Sequence, residues 1–190
     1  MILAELEKYD FSELRHCCSA GEPLNPEVIK VWKKATGLTI YEGYGQTETV
    51  LCIGTFPPCM ESKHGSMGKP SPGWHIEIHD DEGGKPAPLH EEGGHIAIRT
   101  DPRPIGLFHE YIDNDVENAK SFSDGYYYTG DKAYQDEDGY FWFVGRDDDV
   151  IKASGYRIGP FEVESALIEH PPSVHEAAVS VRRMSSGARS

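Results

Sequence analysis

The sequence predicts a mixed α/β fold, and three observations lead to that prediction. Strand-like runs flank one helical segment between residues 14 and 41, apolar alternations separated by glycine-rich turns fill residues 66–144, and a hairpin-like segment precedes a second helix after residue 146. A strand, a helix and a strand in that order indicate a parallel α/β layer, whereas closely spaced alternations indicate antiparallel strands. We expect regions with these bounds: 1–145, subdivided into 1–65 and 66–145; 146–181; and 182–190.

The first region is predicted to contain one short amphipathic helix over residues 25–36. Asn25 is a good N-cap and is followed by a proline and an acid, and Gly37 comes directly after the helical pattern. The run from Leu14 to Ser19 before the helix and the run from Leu38 to Tyr41 after it are β-prone. These two runs are therefore predicted to be parallel neighbours in one sheet.

Residues 66–144 are predicted to form a small antiparallel sheet or barrel. Apolar and polar residues alternate in Ile76-Glu77-Ile78 and again in residues 95–98. The acidic runs at 80–84 and 136–139 contain glycine, which predicts hairpin turns with a solvated face rather than metal sites.

The third region begins near Arg146. Residues 150–158 resemble a hairpin around Ser154-Gly155, and Pro160 is predicted to begin a helix that extends through Glu169. Residues 174–181 are a candidate strand. The basic, serine-rich tail at 182–190 has no periodicity and is predicted to be disordered.

Composition and charge exclude some classes of function. The 18 basic and 32 acidic residues give a formal net charge of −14, which would repel a nucleic-acid backbone, so nucleic acid is not an expected partner. A single nucleotide remains compatible with this charge because backbone N–H groups, hydroxyls and magnesium can hold phosphate. No run of the sequence is apolar for long enough to span a membrane.

The four cysteines and nine histidines do not indicate a metal site or a disulfide framework. The cysteines form no C-x-x-C pair, which is typical of free thiols in a reducing compartment. The pairs His75/His79 and His90/His95 lie in alternating or turn-rich segments, so we expect them on a solvated strand face rather than around zinc.

The segment Tyr44-Gly45-Gln46-Thr47-Glu48-Thr49 is a candidate phosphate loop. Gly43 and Gly45 would let the backbone approach a ligand closely, the Thr47 hydroxyl could bind a phosphoryl oxygen, and the Glu48 carboxylate could bind magnesium. An ordinary loop is the alternative, since short motifs also arise by chance.

Two further segments contain candidate binding residues. In Tyr128-Thr129-Gly130-Asp131, the Asp131 carboxylate could accept hydrogen bonds from ribose hydroxyls, and the alternative is a solvated turn aspartate. In the charged stretch 145–152, Arg146 could reach a ribose or a phosphate, and the alternative is an exposed linker.

Together and in this order, these motifs resemble the acyl-adenylate-forming superfamily of acyl-CoA synthetases, luciferases and peptide-synthetase adenylation domains. The segments 155–164, 19–24 and 138–143 narrow the resemblance to medium-chain acyl-CoA synthetases, and the similarity extends from residue 9 to about residue 180. It implies the end of a large adenylate-forming domain joined by a hinge to a truncated C-terminal lid. It also implies a ligase that uses ATP, Mg²⁺ and coenzyme A to activate a carboxylic acid, first as an acyl-adenylate.

The resemblance also implies roles for individual residues. Thr47 and Glu48 would be catalytic, with Glu48 binding magnesium, while Asp148 would be the hinge and Gly155 would line the CoA tunnel. Residues expected to contact ATP or AMP are Gly21, Glu22, Pro23, Gly43, Tyr44, Gly45, Gln46, Thr47, Asp131, Arg146 and Arg157.

This sequence also departs from the family pattern. No glycine-rich phosphate loop like T-S-G-x-T-G-x-P-K is present, and the basic tail stands where the lid and its terminal lysine are expected. We therefore expect a fragment with little or no turnover alone. The alternatives are a non-catalytic nucleotide-binding or interaction fragment, or another branch of adenylating enzymes.

The expected compartment also follows from the resemblance. Similar synthetases are mitochondrial in animals and cytoplasmic in bacteria, which predicts the mitochondrial matrix for an animal protein and the cytoplasm otherwise. Met1 to Asp10 include three acidic residues and do not resemble a targeting segment.

Overall fold

The computed structural model describes residue 6 and residues 8–81, 93–153, 156–168 and 177–179. In this part of the chain, helices accompany sheets of four, five and two strands, which confirms the predicted mixed α/β class. No helix among these residues is both long enough and apolar enough to cross a membrane.

The four-stranded sheet positions the first group of candidate residues. It consists of β1 (Cys17–Ala20), β2 (Ile40–Gln46), β3 (Val50–Gly54) and β4 (Lys69–Pro70), in that order. The β1–β2 pair is parallel, as predicted, but β2–β3 and β3–β4 are antiparallel. The layer is therefore mixed rather than parallel throughout.

Helix α1 (Pro26–Thr36) connects β1 to β2 and matches its prediction. The Asn25 side chain accepts a hydrogen bond of 2.8 Å from the Glu27 N–H, which satisfies a donor at the helix start. At the other end, Gly37 takes a left-handed conformation with φ 77° and donates its N–H to the Lys33 carbonyl. The buried Ile29 side chain anchors the helix.

The five-stranded sheet is antiparallel. Its strands are β5 (Ile76–His79), β6 (Gly94–Arg99), β7 (Phe122–Ser123), β8 (Tyr126–Gln135) and β9 (Phe141–Arg146). The long β8 pairs with β6, β7 and β9, and a short helix, α2 (Asp115–Ser121), precedes β7. The sequence did not predict α2.

One apolar core joins the two larger sheets. Its buried members come from β3, β5, β6, β8 and β9 and from the loops between them: Cys52, Ile53, Met67, Ile76, Ile78, Ile96, Ile98, Leu107, Tyr127, Ala133 and Phe141. Because both sheets pack into the same core, the ends of β2 and β9 meet the middle of β8 at fixed positions.

The third region contains the predicted hairpin and helix. Strands β10 (Ile151–Ala153) and β11 (Tyr156–Ile158) are antiparallel, and α3 (Pro160–Ile168) packs against β9. The candidate strand at 174–181 is not present over 177–179, where the chain has no regular structure. The rest of that segment and the tail at 182–190 lie outside the described residues.

One acidic turn matches its prediction, whereas one histidine does not. Residues 136–139 form the predicted turn between β8 and β9, with Gly139 at φ 82°, whereas most of the 80–84 run lies outside the described residues. The prediction that His79 faces solvent is wrong. Its side chain is fully buried, and its ring nitrogens lie 3.1 Å from the Tyr128 hydroxyl and 3.2 Å from Glu77 Oε2.

The cysteines are free in the structure. Cys18 and Cys59 are exposed, Cys17 is half-buried and Cys52 is buried. Burial raises the pKa of the Cys52 thiol to about 11. That thiol therefore stays protonated at neutral pH.

Candidate functional site

A cavity of about 290 Å³ lies where β1, β2, β8 and β9 meet. Nine of the residues predicted to bind ATP or AMP line it: Gly21, Glu22, Pro23, Gly43, Tyr44, Gly45, Gln46, Asp131 and Arg146. The remaining lining residues are Ser19, Glu42, Met67 and Phe143. Segments that are far apart in sequence thus form one concave surface of the size expected for a small ligand.

The Asp131 carboxylate is a central polar group of this cavity. Its Oδ2 atom accepts hydrogen bonds from the Tyr44 hydroxyl at 2.6 Å and from Gln46 Nε2 at 2.8 Å. Asp131 lies within β8 and is only 5% exposed, so the alternative of a solvated turn aspartate is wrong. Burial raises the pKa of Asp131, against the opposing effects of the Tyr44 hydrogen bond and the Arg146 charge.

Tyr44 is fixed as a hydrogen-bond donor in this arrangement. Burial, followed by the nearby Asp131 charge, raises the pKa of Tyr44 well above its ordinary value of 10.0. The phenol is therefore protonated at neutral pH and can donate to Asp131. Its ring also packs near Phe143, with ring centroids 6.5 Å apart, and presents an aromatic face to the cavity.

The glycines of the β2 segment permit close packing between two strands. A Cβ atom on Gly45 would clash with the Val50 carbonyl oxygen, and one on Gly43 would clash with the Leu51 side chain. Their small size therefore permits the close approach of β2 and β3. Both glycines also line the cavity, and their approach to a ligand stays a prediction.

The predicted phosphate loop is the tip of a β-hairpin. Strand β2 continues through Gln46, so only residues 47–49 form the turn before β3. The buried Thr49 side chain accepts a hydrogen bond of 2.9 Å from the Gln46 N–H and stabilises the turn. Thr47 and Glu48 are left facing a second, larger cavity of about 600 Å³.

The two cavities share a wall formed by Gln46 and Arg146. Arg146 is opposite Asp131 in the β8–β9 pairing, and its half-exposed side chain lies 3.5 Å from Asp148. The positive charge of Arg146 therefore faces both spaces. Asp148 is mostly exposed, Arg157 is described only through its backbone in β11, and Gly155 lies outside the described residues.

Comparison with known proteins identifies the family. The model of the AMP-binding enzyme family matches residues 1–112, which is more than half of the chain. The chain belongs to the AMP-binding enzyme family. The matched residues, 1–112, include every predicted binding residue from Gly21 to Glu48.

Curated relatives of this AMP-binding chain are CoA ligases by name. Acyl-coenzyme A synthetase ACSM3, mitochondrial, of Rattus norvegicus is 58% identical over 95% of this chain, and 4-hydroxybutyrate–CoA ligase 1 of Metallosphaera sedula is 59% identical over 94%. In both comparisons, the chain spans 31% of the length of the relative.

Solved structures of AMP-binding enzymes have the same fold. The anthranilate CoA ligase AuaEII in complex with anthranoyl-AMP matches with a TM-score of 0.79 and 37% identity, over 89% of this chain and 32% of that one. The o-succinylbenzoate coenzyme A synthetase MenE from Bacillus subtilis, in complex with ATP and magnesium, matches with a TM-score of 0.77 and 31% identity, over 94% and 37%.

The geometry around Glu48 fits a magnesium ion of the kind this family implies. Its Oε1 atom accepts a hydrogen bond of 3.0 Å from the Tyr111 hydroxyl, and the side chain lines the larger cavity. Magnesium typically keeps several waters and takes only one or two protein carboxylates plus substrate phosphates. Among the described residues, no group of three or more histidine, cysteine, aspartate or glutamate side chains is placed to hold a metal ion.

Several residues of the site were missed in the sequence. Glu42 follows the alternation of β2 to the same face as Tyr44 and Gln46, so the period-two pattern could have indicated it. Its carboxylate accepts hydrogen bonds from the Leu24 N–H at 3.2 Å and the Gly65 N–H at 3.1 Å, and burial raises its pKa. Glu42 thereby fixes the loop that follows β1.

Lys132 was also missed, and no local pattern indicated it. This side chain follows Asp131 directly but is fully buried. Its ammonium group lies 2.7 Å from the Asp81 carboxylate and 2.9 Å from the Asp147 carboxylate. Lys132 thereby connects the end of β5 to the segment that follows β9, next to Arg146.

Proposed function

We propose that this chain is part of an acid:CoA ligase that activates a carboxylic acid with ATP, forming an acyl-adenylate and pyrophosphate, and then transfers the acyl group to CoA. The observation that supports this proposal best is the convergence of nine predicted nucleotide-binding residues on one cavity around the buried Asp131. The names of the related CoA ligases support the same reaction class.

In this proposal, the smaller cavity holds the nucleoside. Gly21, Glu22 and Pro23 contact the adenine, and the Tyr44 ring stacks near it. Asp131 accepts hydrogen bonds from the ribose hydroxyls while its Oδ2 atom remains bonded to Tyr44 and Gln46. Because both protein donors bind the same oxygen, Oδ1 is directed away from them and is available to the ribose.

The larger cavity then receives the phosphates. The Thr47 hydroxyl donates to a phosphoryl oxygen, Arg146 offsets negative charge at the shared wall, and Glu48 binds the magnesium ion. When bound, magnesium would neutralise charge on the phosphates and orient them. Catalysis by these residues would consist mainly of positioning and charge stabilisation.

The third region supplies the remaining proposed roles. Asp148, mostly exposed and two residues after the end of β9, acts as the hinge for the lid. Arg157 contributes to ATP or AMP binding, and Gly155 lines the CoA tunnel. Lid rotation about Asp148 would separate adenylation from thioester formation.

The substrate and the compartment are further parts of the proposal. A medium-chain fatty acid is the proposed acid, on the basis of the resemblance to medium-chain synthetases and the similarity to acyl-coenzyme A synthetase ACSM3. Because the rat relative is named mitochondrial, the mitochondrial matrix is the proposed compartment for an animal protein.

The proposal is tested first by AMP binding to this chain, measured by isothermal titration calorimetry. Asp131→Asn keeps the side-chain shape but removes the charge, so we expect about a tenfold or greater loss of AMP affinity. Asp113→Asn is the matched control, because Asp113 is exposed and lines neither cavity. Its left-handed backbone, at φ 55°, also tolerates asparagine.

Two results would contradict the proposed site. One is an unmodified chain that does not bind AMP. The other is equal AMP affinity in both variants, which would place the nucleotide elsewhere. Carboxylate-dependent ATP–pyrophosphate exchange by a version extended toward the length of the relatives then tests the ligase reaction itself.

A further inference from the structure

The Tyr111 side chain makes a direct contact with the proposed magnesium ligand. Its hydroxyl donates a hydrogen bond of 3.0 Å to Glu48 Oε1, across 63 residues of sequence. One carboxylate oxygen is thereby fixed, while the other has no hydrogen-bond partner among the described residues.

The backbone of Tyr111 is held by a side chain of helix α2. The Tyr111 N–H donates to Asn118 Oδ1 at 2.7 Å, and Asn118 Nδ2 donates back to the Tyr111 carbonyl at 2.8 Å. Asn118 is itself within the helix, where its N–H binds the Asn114 carbonyl at 3.0 Å. This two-way amide contact leaves Tyr111 little freedom to move away from Glu48.

Phe108 holds Glu48 at a second point. Its N–H donates to the Glu48 carbonyl at 2.7 Å, which fixes the backbone of the hairpin tip. The Phe108 ring also packs edge-on against Tyr111, with centroids 4.7 Å apart. The backbone and the side chain of Glu48 are thus both oriented by the segment that contains Phe108 and Tyr111.

We propose that Tyr111 is a positioning residue that holds the Glu48 carboxylate in the orientation that binds magnesium, with Asn118 fixing Tyr111 in turn. This inference rests on the proposed function, in which Glu48 binds the metal. The physical reason is that a hydrogen bond to one oxygen restricts the rotation of a flexible glutamate and directs its other oxygen at the cavity. Without this hydrogen bond, the entropy lost on ordering the Glu48 side chain would reduce the affinity for magnesium.

The test compares two substitutions that each remove one hydroxyl. Tyr111→Phe removes the donor to Glu48. Tyr126→Phe is the control, because its hydroxyl likewise donates to a glutamate, Glu77, at 3.1 Å but lines neither of the two cavities. ATP affinity is measured by calorimetry, first in EDTA and then as a function of Mg²⁺ concentration.

We expect Tyr111→Phe to raise, by about tenfold, the Mg²⁺ concentration that gives half of the full Mg²⁺ effect on ATP affinity. Changes of this size are typical when a hydrogen-bond partner of a metal ligand is removed. Its ATP affinity in EDTA should stay unchanged, as should both quantities for Tyr126→Phe. In a Glu48→Gln background, Tyr111→Phe should have no further effect on Mg²⁺ dependence. A merely structural role would instead add its effect to that of Glu48→Gln.

The results separate the inference from the function on which it rests. The unmodified chain, Tyr111→Phe and Tyr126→Phe could all bind ATP in EDTA and show the same Mg²⁺ dependence. That result would overturn the role of Tyr111 but leave the nucleotide site intact. An additive effect in the Glu48→Gln background would also overturn it. An unmodified chain that does not bind ATP at all would overturn the proposed function and this inference with it.

Discussion

Carboxylates of similar type behave differently in this molecule because their surroundings differ. Burial raises the pKa of Asp131 and Glu42, whereas the pKa of Asp136 is lowered. Burial opposes that lowering, but Lys63 at 2.7 Å, the Tyr140 N–H and the Trp142 indole all donate to Asp136 and outweigh it. Hydrogen bonds to the charged form thus decide the direction at Asp136.

This difference predicts how one side chain links stability to pH. Because the folded-state pKa of Asp136 lies below its ordinary value of 3.8, its contribution is fully present above that pH and is lost as the pH falls through the folded value. Asp136→Asn should therefore lower the free energy of unfolding by about 1 kcal/mol at neutral pH. Urea unfolding at neutral pH and below pH 3.8 should show the difference from the unmodified chain shrinking in acid.

Asp138 provides the control for this prediction. Its carboxylate also lies 2.7 Å from Lys63, but the side chain is 72% exposed. Asp138→Asn should change stability little at either pH, since exposed ion pairs contribute little. An equal effect of both substitutions would mean that the ion pair with Lys63, rather than the hydrogen bonds from the Tyr140 N–H and the Trp142 indole, determines the stability of this turn.

At the scale of elements, the β2–β3 hairpin depends on a glycine with ordinary backbone angles. Alanine at Gly45 would place its Cβ against the Val50 carbonyl oxygen, and this backbone atom cannot move aside without breaking the pairing. Gly45→Ala should therefore destabilise the chain by about 3 kcal/mol, as an overpacking substitution. Denaturant unfolding would measure the loss.

Gly37 is the matched position for comparison. It has φ 77°, but a Cβ there would meet nothing within 4 Å, so Gly37→Ala should cost only about 1 kcal/mol of conformational strain. If Gly37→Ala destabilised the chain more than Gly45→Ala, then backbone conformation and not close approach would dominate the cost.

Elements with strong local signals could be predicted from the sequence. Helix α1 has a capping asparagine and a terminal glycine, and the β10–β11 hairpin has a turn between apolar runs. Helix α2 was missed because its seven residues contain few apolar side chains and thus no amphipathic period. The hairpin tip at 47–49 was taken for a longer loop because pairing with β3, a tertiary contact, extends β2 through its glycines.

At the scale of the whole molecule, the candidate site was predictable only from its motifs taken together. Each short motif could also have been an ordinary loop, and only their order indicated the family. Lys132 shows what sequence patterns cannot indicate. Its partners Asp81 and Asp147 are distant in sequence, so their meeting depends on how β5, β8 and the segment after β9 pack.

The buried Lys132 side chain is expected to contribute to stability. Lys132→Met retains the length of the side chain but removes the hydrogen bonds of the buried ammonium group to Asp81 and Asp147, so the free energy of unfolding should fall by about 1–3 kcal/mol. Lys63→Met is the control, because Lys63 also lies 2.7 Å from two aspartates, although its side chain is 32% exposed against 1% for Lys132.

Thermal or urea unfolding of the two variants provides the measurement. The loss for Lys63→Met should be clearly smaller, since water can replace an exposed ion pair. Similar losses in both variants would show that burial does not determine the strength of these paired contacts.

The distribution of thiols gives the molecule a convenient place for a fluorescent reporter. Cys52 is buried with a raised pKa and should resist maleimide labelling, whereas Cys18 is exposed and precedes Ser19, a wall residue of the smaller cavity. Serine in place of Cys17 and Cys59 would leave Cys18 as the one readily labelled thiol among the cysteines. Because neighbouring side chains of a strand point to opposite faces, a dye on Cys18 would lie behind the cavity wall rather than in it. It could therefore report nucleotide entry in real time without blocking the cavity.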